Sequence, residues 1–154
     1  MTNRILFVCM GNICRSPAGE GVMQHLVDQR QLDVHVDSAG THGYHVGEPA
    51  DSRMRKAARR RGYELTSRAR KVERDDLIAG AFDVVLAADR ANLSILHQLA
   101  PSTTDHIRLF SDFLDGDWPD EVPDPYYGGD DGFETVLDML ESGCPEVLSR
   151  LGLS

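Results

Sequence analysis

The stretch Arg4-Ile-Leu-Phe-Val-Cys-Met-Gly-Asn-Ile-Cys-Arg-Ser-Pro17 constrains the fold of this 154-residue chain more than any other. It opens with an apolar run, Ile5 to Val8, that reads as a short buried strand. It closes on Ser16-Pro17, which predicts a helix start with Ser16 as N-cap and Pro17 at the first helical position. A strand turning tightly into a helix is the opening of a βαβ unit, and the rest of the chain repeats the pattern. The predicted helix over 17–30 carries Val22, Met23, Leu26 and Val27 on one face, and a second strand covers 34–38. A glycine-rich loop (39–50) leads to a helix capped by Asp51 and stopped by Gly62. Residues 63–74 read as irregular, with a short helix near 74–79. A buried strand follows over 82–87, then a helix opened by Asp89 or Arg90 that ends before Pro101. A fourth strand covers 107–110, a long loop 111–131, and a last helix begins near 131. Alternating strands and helices predict a parallel α/β sheet flanked by helices in a single domain, 1–154.

The first loop has a chemical reading. A strand-to-helix loop turns several backbone N–H groups toward one point, and the helix dipole adds partial positive charge there. Such a cradle, Met10, Gly11, Asn12, Ile13, Cys14 and Ser16, suits a tetrahedral oxyanion. Gly11 permits close backbone approach, and Asn12 tolerates the left-handed conformation that a ring of amides requires. Arg15 offers a planar fork to two oxygens. Cys9 would sit at the base, where amides, dipole and guanidinium favour thiolate over thiol. A thiolate aimed into an anion site is a nucleophile for phosphorus. Cys9 can equally be a buried strand-end cysteine and Arg15 a surface residue, but the strand before the pair, Gly-Asn within it and Ser-Pro after it favour the chemical reading. Cleaving a phosphoester also calls for a general acid. On the residues alone, Asp124, between two prolines in Val122-Pro-Asp-Pro-Tyr-Tyr-Gly-Gly129, stands no higher than Asp117 or Asp120.

The segment Val8-Cys-Met-Gly-Asn-Ile-Cys-Arg-Ser-Pro17 resembles the signature loop of the low molecular weight protein tyrosine phosphatases, and Asp124-Pro-Tyr-Tyr-Gly128 resembles the same family's acid loop. Matching segments run from residue 4 to about 140. The resemblance implies a four-stranded sheet of order 2-1-3-4 and hydrolysis of phosphotyrosine through a cysteinyl-phosphate, without metal or other cofactor. It implies Cys9 as nucleophile, Arg15 as phosphate clamp, Asp124 as acid and then base, and Ser16 as hydrogen-bond partner of the Cys9 sulfur. It further implies Tyr44 and Tyr126 as aromatic walls, and Asn12 and Ser38 as braces of the loop. Cys14 matches a cysteine that can form a disulfide with the nucleophile, and Tyr127 a tyrosine that can be phosphorylated. Two departures stand out. Ser67 falls where many members carry histidine, and Gly143-Cys-Pro145 is expected to kink or break the last helix.

Composition narrows the partners. A net charge of −9 disfavours nucleic acid. No run approaches the ~20 apolar residues of a membrane span. Three cysteines, an odd number, argue for a reducing compartment and a cytoplasmic protein. The expected partners are tyrosine-phosphorylated proteins, among them a bacterial tyrosine kinase. Ten of the sixteen basic residues lie between Arg53 and Arg74, whereas Arg108 is the one Lys or Arg from Asp105 to Glu146. The basic run reads first as a solvated helix face and second as a dock for an acidic partner. His42-Gly-Tyr-His45 has metal-like spacing but too few ligands for a site. A thiol-dependent arsenate reductase would need two further mid-chain cysteines, and Leu86-Ala-Ala-Asp-Arg-Ala91 has none. A phosphate-binding module would need neither Cys9 nor Asp124.

Overall fold

The computed structural model describes residues 2–153. Four strands, β1 (Asn3–Cys9), β2 (Val34–Gly40), β3 (Val84–Ala87) and β4 (Ile107–Leu109), form one sheet. Its order is β2-β1-β3-β4 and every pairing is parallel, as expected. Helices α1 (Arg15–Gln29), α2 (Ser52–Arg59), α3 (Arg90–Leu99) and α4 (Asp130–Arg150) connect or flank the strands, with short 3₁₀ turns at Arg74–Leu77 and Phe110–Phe113.

The unbroken apolar run of β1 follows from burial on both faces. Ile5, Phe7 and Cys9 join a core shared with α1, α2 and α4. Leu6 and Val8 join a second core with Val85, Leu96 and Ile107 on the other side of the sheet. The chain runs outward from β1 to β2 in one direction and from β3 to β4 in the other, so the switch point lies between β1 and β3. Ligands of open α/β sheets sit at that point, beyond the carboxyl ends of the strands. Cys9 ends β1 there.

Several local expectations shift. The second strand extends to Gly40, because its ladder with β1 runs on to Cys9, whose carbonyl accepts from Thr41 N–H at 2.9 Å. The fourth strand is shorter than 107–110, since Phe110 opens the second 3₁₀ turn. The last helix neither breaks nor ends at Pro145, which α4 carries inside it. Proline deprives the Glu141 carbonyl of its donor, but Gly143, Cys144, Val147 and Leu148 are buried on either side of it. Packing therefore decides over local propensity. Gly143 is part of that packing: a Cβ there would meet the Phe110 ring at 2.5 Å.

The basic run also finds partners within the chain. Arg61 pairs with Glu134, Asp138 and Glu141 of α4 at 2.6, 3.0 and 2.7 Å, joining the end of α2 to the acidic helix. Arg70 is held between Asp37 and Asp76, both at 3.0 Å. Arg61 and Arg70 of the basic run are thus paired within the chain rather than free on a solvated face.

Candidate active site

The loop between β1 and α1 winds as the sequence suggests, with one correction. Asn12 is left-handed at φ 57°, but the helix begins at Arg15 with Cys14 as its N-cap, so Ser16 is not the cap and Pro17 is the third helical residue. Proline is tolerated there because the first-turn N–H groups lack intrahelical partners. Released from capping, the Ser16 hydroxyl lies 3.0 Å from Cys9 Sγ, and its backbone N–H donates to the same sulfur at 3.4 Å. Asn12 Nδ2 donates to Ser16 Oγ at 2.8 Å, while Asn12 Oδ1 accepts from Arg70 N–H at 2.9 Å. Asn12 therefore braces the loop against the segment beyond β2. Ser38, expected to share that task, does not. Its hydroxyl donates to Glu20 at 2.6 Å, and burial raises the Glu20 carboxyl pKa despite that bond. Gly40, opposite Cys9 in the register, supplies clearance instead, since a Cβ there would stand 2.8 Å from the Met10 carbonyl.

Arg15 is 5 % exposed. Its Nη1 donates to Asp89 Oδ2 at 2.7 Å and to the Val122 carbonyl at 3.0 Å, and its Nη2 lies 3.7 Å from Asp124 Oδ2. Burial opposes its charge, but Cys9 and the bonded Asp89 outweigh that and raise its pKa further. The guanidinium thus bridges the switch point between β1 and β3. Asp89 has two tasks, because its other oxygen caps α3 by accepting from Asn92 N–H at 2.8 Å. The sequence places the helix start at Asp89 or Arg90; the structure makes Asp89 the cap and adds its hold on Arg15.

Cys9, Met10, Gly11, Ile13, Cys14, Arg15, Tyr44, His45, Asp124, Tyr126 and Tyr127 surround one pocket of about 210 Å³. Asp124 stands at its mouth, one oxygen accepting from Tyr126 N–H at 3.0 Å. Asp117 and Asp120 are not among its lining residues. Tyr126 and Tyr127 meet edge to face with centroids 4.9 Å apart, and the exposed Tyr44 stacks on His42 at 5.2 Å. His45, considered above only as a metal ligand, is a wall residue whose Nδ1 pairs with Glu48 at 2.7 Å. Its ring occupies the space beside Gly11, where a Cβ would meet it at 3.1 Å. Gly11 therefore makes room for a wall of the pocket. Cys14 is a free, buried thiol, and burial first, then Asp51, raises its pKa. It is protonated at neutral pH. Among the described residues no cluster of three or more His, Cys, Asp or Glu could hold a metal, and no helix is long and apolar enough to cross a membrane.

Comparison with known proteins agrees with this geometry. The family model described as low molecular weight phosphotyrosine protein phosphatase matches residues 4–153. A low molecular weight protein-tyrosine-phosphatase of Streptomyces coelicolor is 41% identical over 98% of this chain and 94% of its own. The crystal structure of a protein tyrosine phosphatase from Entamoeba histolytica, with Hepes in its active site, superposes with a TM-score of 0.93. It is 42% identical over 98% of this chain and 97% of that one. That of a Drosophila arginine phosphatase superposes with a TM-score of 0.87 at 31% identity, covering 96% of each chain.

Proposed function

This chain belongs to the low molecular weight phosphotyrosine protein phosphatases, enzymes that hydrolyse phosphotyrosine, and from that premise we propose a mechanism through a cysteinyl-phosphate on Cys9. The observation that supports it is the convergence of Cys9, Arg15 and Asp124 on one pocket. In the first step Cys9 Sγ attacks phosphorus, the bond to the tyrosyl oxygen breaks, and Asp124 gives that oxygen its proton. In the second, the Asp124 carboxylate takes a proton from water, the water oxygen attacks phosphorus, and the Cys9 thiolate leaves. Arg15 Nη2 and the loop amides hold the equatorial oxygens, over which charge is spread in the transition state. Ser16, 3.0 Å from the sulfur, stabilises the departing thiolate.

The walls favour an aromatic ester. Tyr44 and Tyr126 flank the opening, and Ile13 and Met10 add apolar surface. An arginine phosphatase shares the fold, so the walls rather than the fold carry this preference. The substrates we infer are tyrosine-phosphorylated proteins, a bacterial tyrosine kinase being one candidate, acting in the cytoplasm, where Cys9 stays reduced.

Phosphate release from matched phosphotyrosine, phosphoserine and phosphoarginine peptides, in EDTA, tests the reading. Phosphotyrosine alone should be cleaved. Asp124→Ala should lower kcat/KM for it by about 10²- to 10³-fold. Cleavage of the phosphoarginine peptide in preference would overturn the assignment of the walls, and an undiminished Asp124→Ala enzyme that of the acid.

A further inference from the structure

We infer that Arg53 is a positioning residue that clasps the Asp124 loop against the phosphate loop, an inference that rests on Asp124 acting as proposed above. The bonds run without a gap from one loop to the other. Asp51 N–H donates to the carbonyl of Ile13, in the phosphate loop, at 2.8 Å. The Asp51 carboxylate accepts from Arg53 Nε at 3.1 Å and Nη2 at 2.9 Å, a two-pronged contact. The same Nη2 donates to the Tyr126 carbonyl at 3.1 Å. Tyr126 N–H in turn donates to Asp124 Oδ1 at 3.0 Å.

Ring contacts reinforce the clasp. The Arg53 guanidinium carbon lies 5.4 Å from the Tyr126 ring centroid and 5.0 Å from that of Phe133, near the start of α4. The acid loop is thereby fixed at both ends. Upstream of Asp124, Val122 donates to the Ala88 carbonyl at 2.9 Å and accepts from Arg15 at 3.0 Å. Downstream, among the described residues, Arg53 is the one side chain from outside that hydrogen-bonds residues 124–129. Without it, the turn carrying Asp124 keeps its internal bonds, from Tyr126 N–H to Asp124 and from Gly128 N–H to the Pro125 carbonyl at 3.2 Å, and the long 3.7 Å approach of Asp124 to Arg15, but loses its downstream tie and with it the register of the carboxyl. A carboxyl displaced by about an ångström transfers its proton poorly.

The test separates this role from folding or binding. Tyrosine leaves only when protonated, whereas a dinitrophenolate leaves without help, so a phosphotyrosine peptide and dinitrophenyl phosphate differ in their need for the acid. Arg53→Ala should lower kcat/KM for the peptide about tenfold and for dinitrophenyl phosphate by less than about twofold. Added to Asp124→Ala, it should cost less than about twofold more on the peptide, the share of the Tyr126 wall that Arg53 also holds. Equal losses on both substrates, a full further loss of about tenfold in the Asp124→Ala background, or no loss at all would overturn the clasp. An Asp124→Ala enzyme that hydrolyses the peptide at the normal rate would overturn the acid assignment itself, independently of what Arg53→Ala does.

Discussion

Cys9→Ser should abolish phosphotyrosine hydrolysis, with kcat/KM falling about 10⁴-fold or more. A hydroxyl in place of the thiol is far harder to ionise and would need its proton removed during attack. Asp124, the carboxyl proposed to act there, must itself be protonated in that step to serve the leaving oxygen. The Ser16 hydroxyl, 3.0 Å from the sulfur, is a hydrogen-bonding group rather than a base. The exchange is small, and Cys9 is buried at the end of a strand whose register with β2 is set by backbone bonds. The variant should therefore fold and still bind a phosphotyrosine peptide through Arg15 and the loop amides. Peptide hydrolysis measured beside calorimetric binding checks both halves of the expectation. Binding without turnover is the expected pair, and residual turnover within tenfold of wild type would exclude Cys9 as the nucleophile.

Arg15→Ala should be nearly as damaging, but with a second signature. Loss of the guanidinium proposed to hold the equatorial oxygens should lower kcat/KM by about 10³-fold, by analogy with the removal of preorganised oxyanion donors. Unlike the Cys9 variant, it should also destabilise the fold. Asp89 would lose its partner at 2.7 Å and the Val122 carbonyl its donor, both at the switch point of the sheet. Breaking such a largely buried pair costs about 3 kcal/mol, less to the extent that Asp89, with its side chain 21% exposed, recovers water. Denaturant titration beside the kinetics separates the two effects. A variant as stable as wild type would contradict the bridging role given to Arg15.

The strand, loop and following helix around Cys9 were legible because each signal is local: an apolar run, a glycine and asparagine in the turn, a proline in the first helical turn. Asp51 as a cap was legible for the same reason, and the helix start at Asp89 or Arg90 to within a residue. The partners of those residues were not. Asp89 meets Arg15 across 74 positions, and Arg53 meets Tyr126 across 73. No periodicity reports such a meeting; only the parallel order of the sheet and the docking of α2 beside α4 create it. Ser16 was misread because a serine before a proline is an ordinary cap signal, whereas helical backbone already begins at Arg15, with Cys14 as cap. Ser38 was misread because its hydroxyl had a nearer partner in Glu20. Pro145 was judged by local propensity alone, and burial of its neighbours against α1 and Phe110 overrides that. Asp124 could not be chosen from among the aspartates of its loop by residue chemistry. Its position at the pocket mouth depends on Val122 being tied to Ala88 and Arg15.

The measurement that bears most directly on the mechanism is capture of the phosphoenzyme. The protein is mixed with excess phosphotyrosine peptide, quenched within the first turnover by rapid denaturation at alkaline pH, where a P–S bond survives, digested without acidification and examined by mass spectrometry. One phosphoryl group on the fragment containing Cys9, absent from Cys9→Ser, and chased away as phosphate when turnover is allowed to finish, is the predicted result. Full turnover with no phosphoryl group on any fragment, or one borne by a residue other than Cys9, would contradict it.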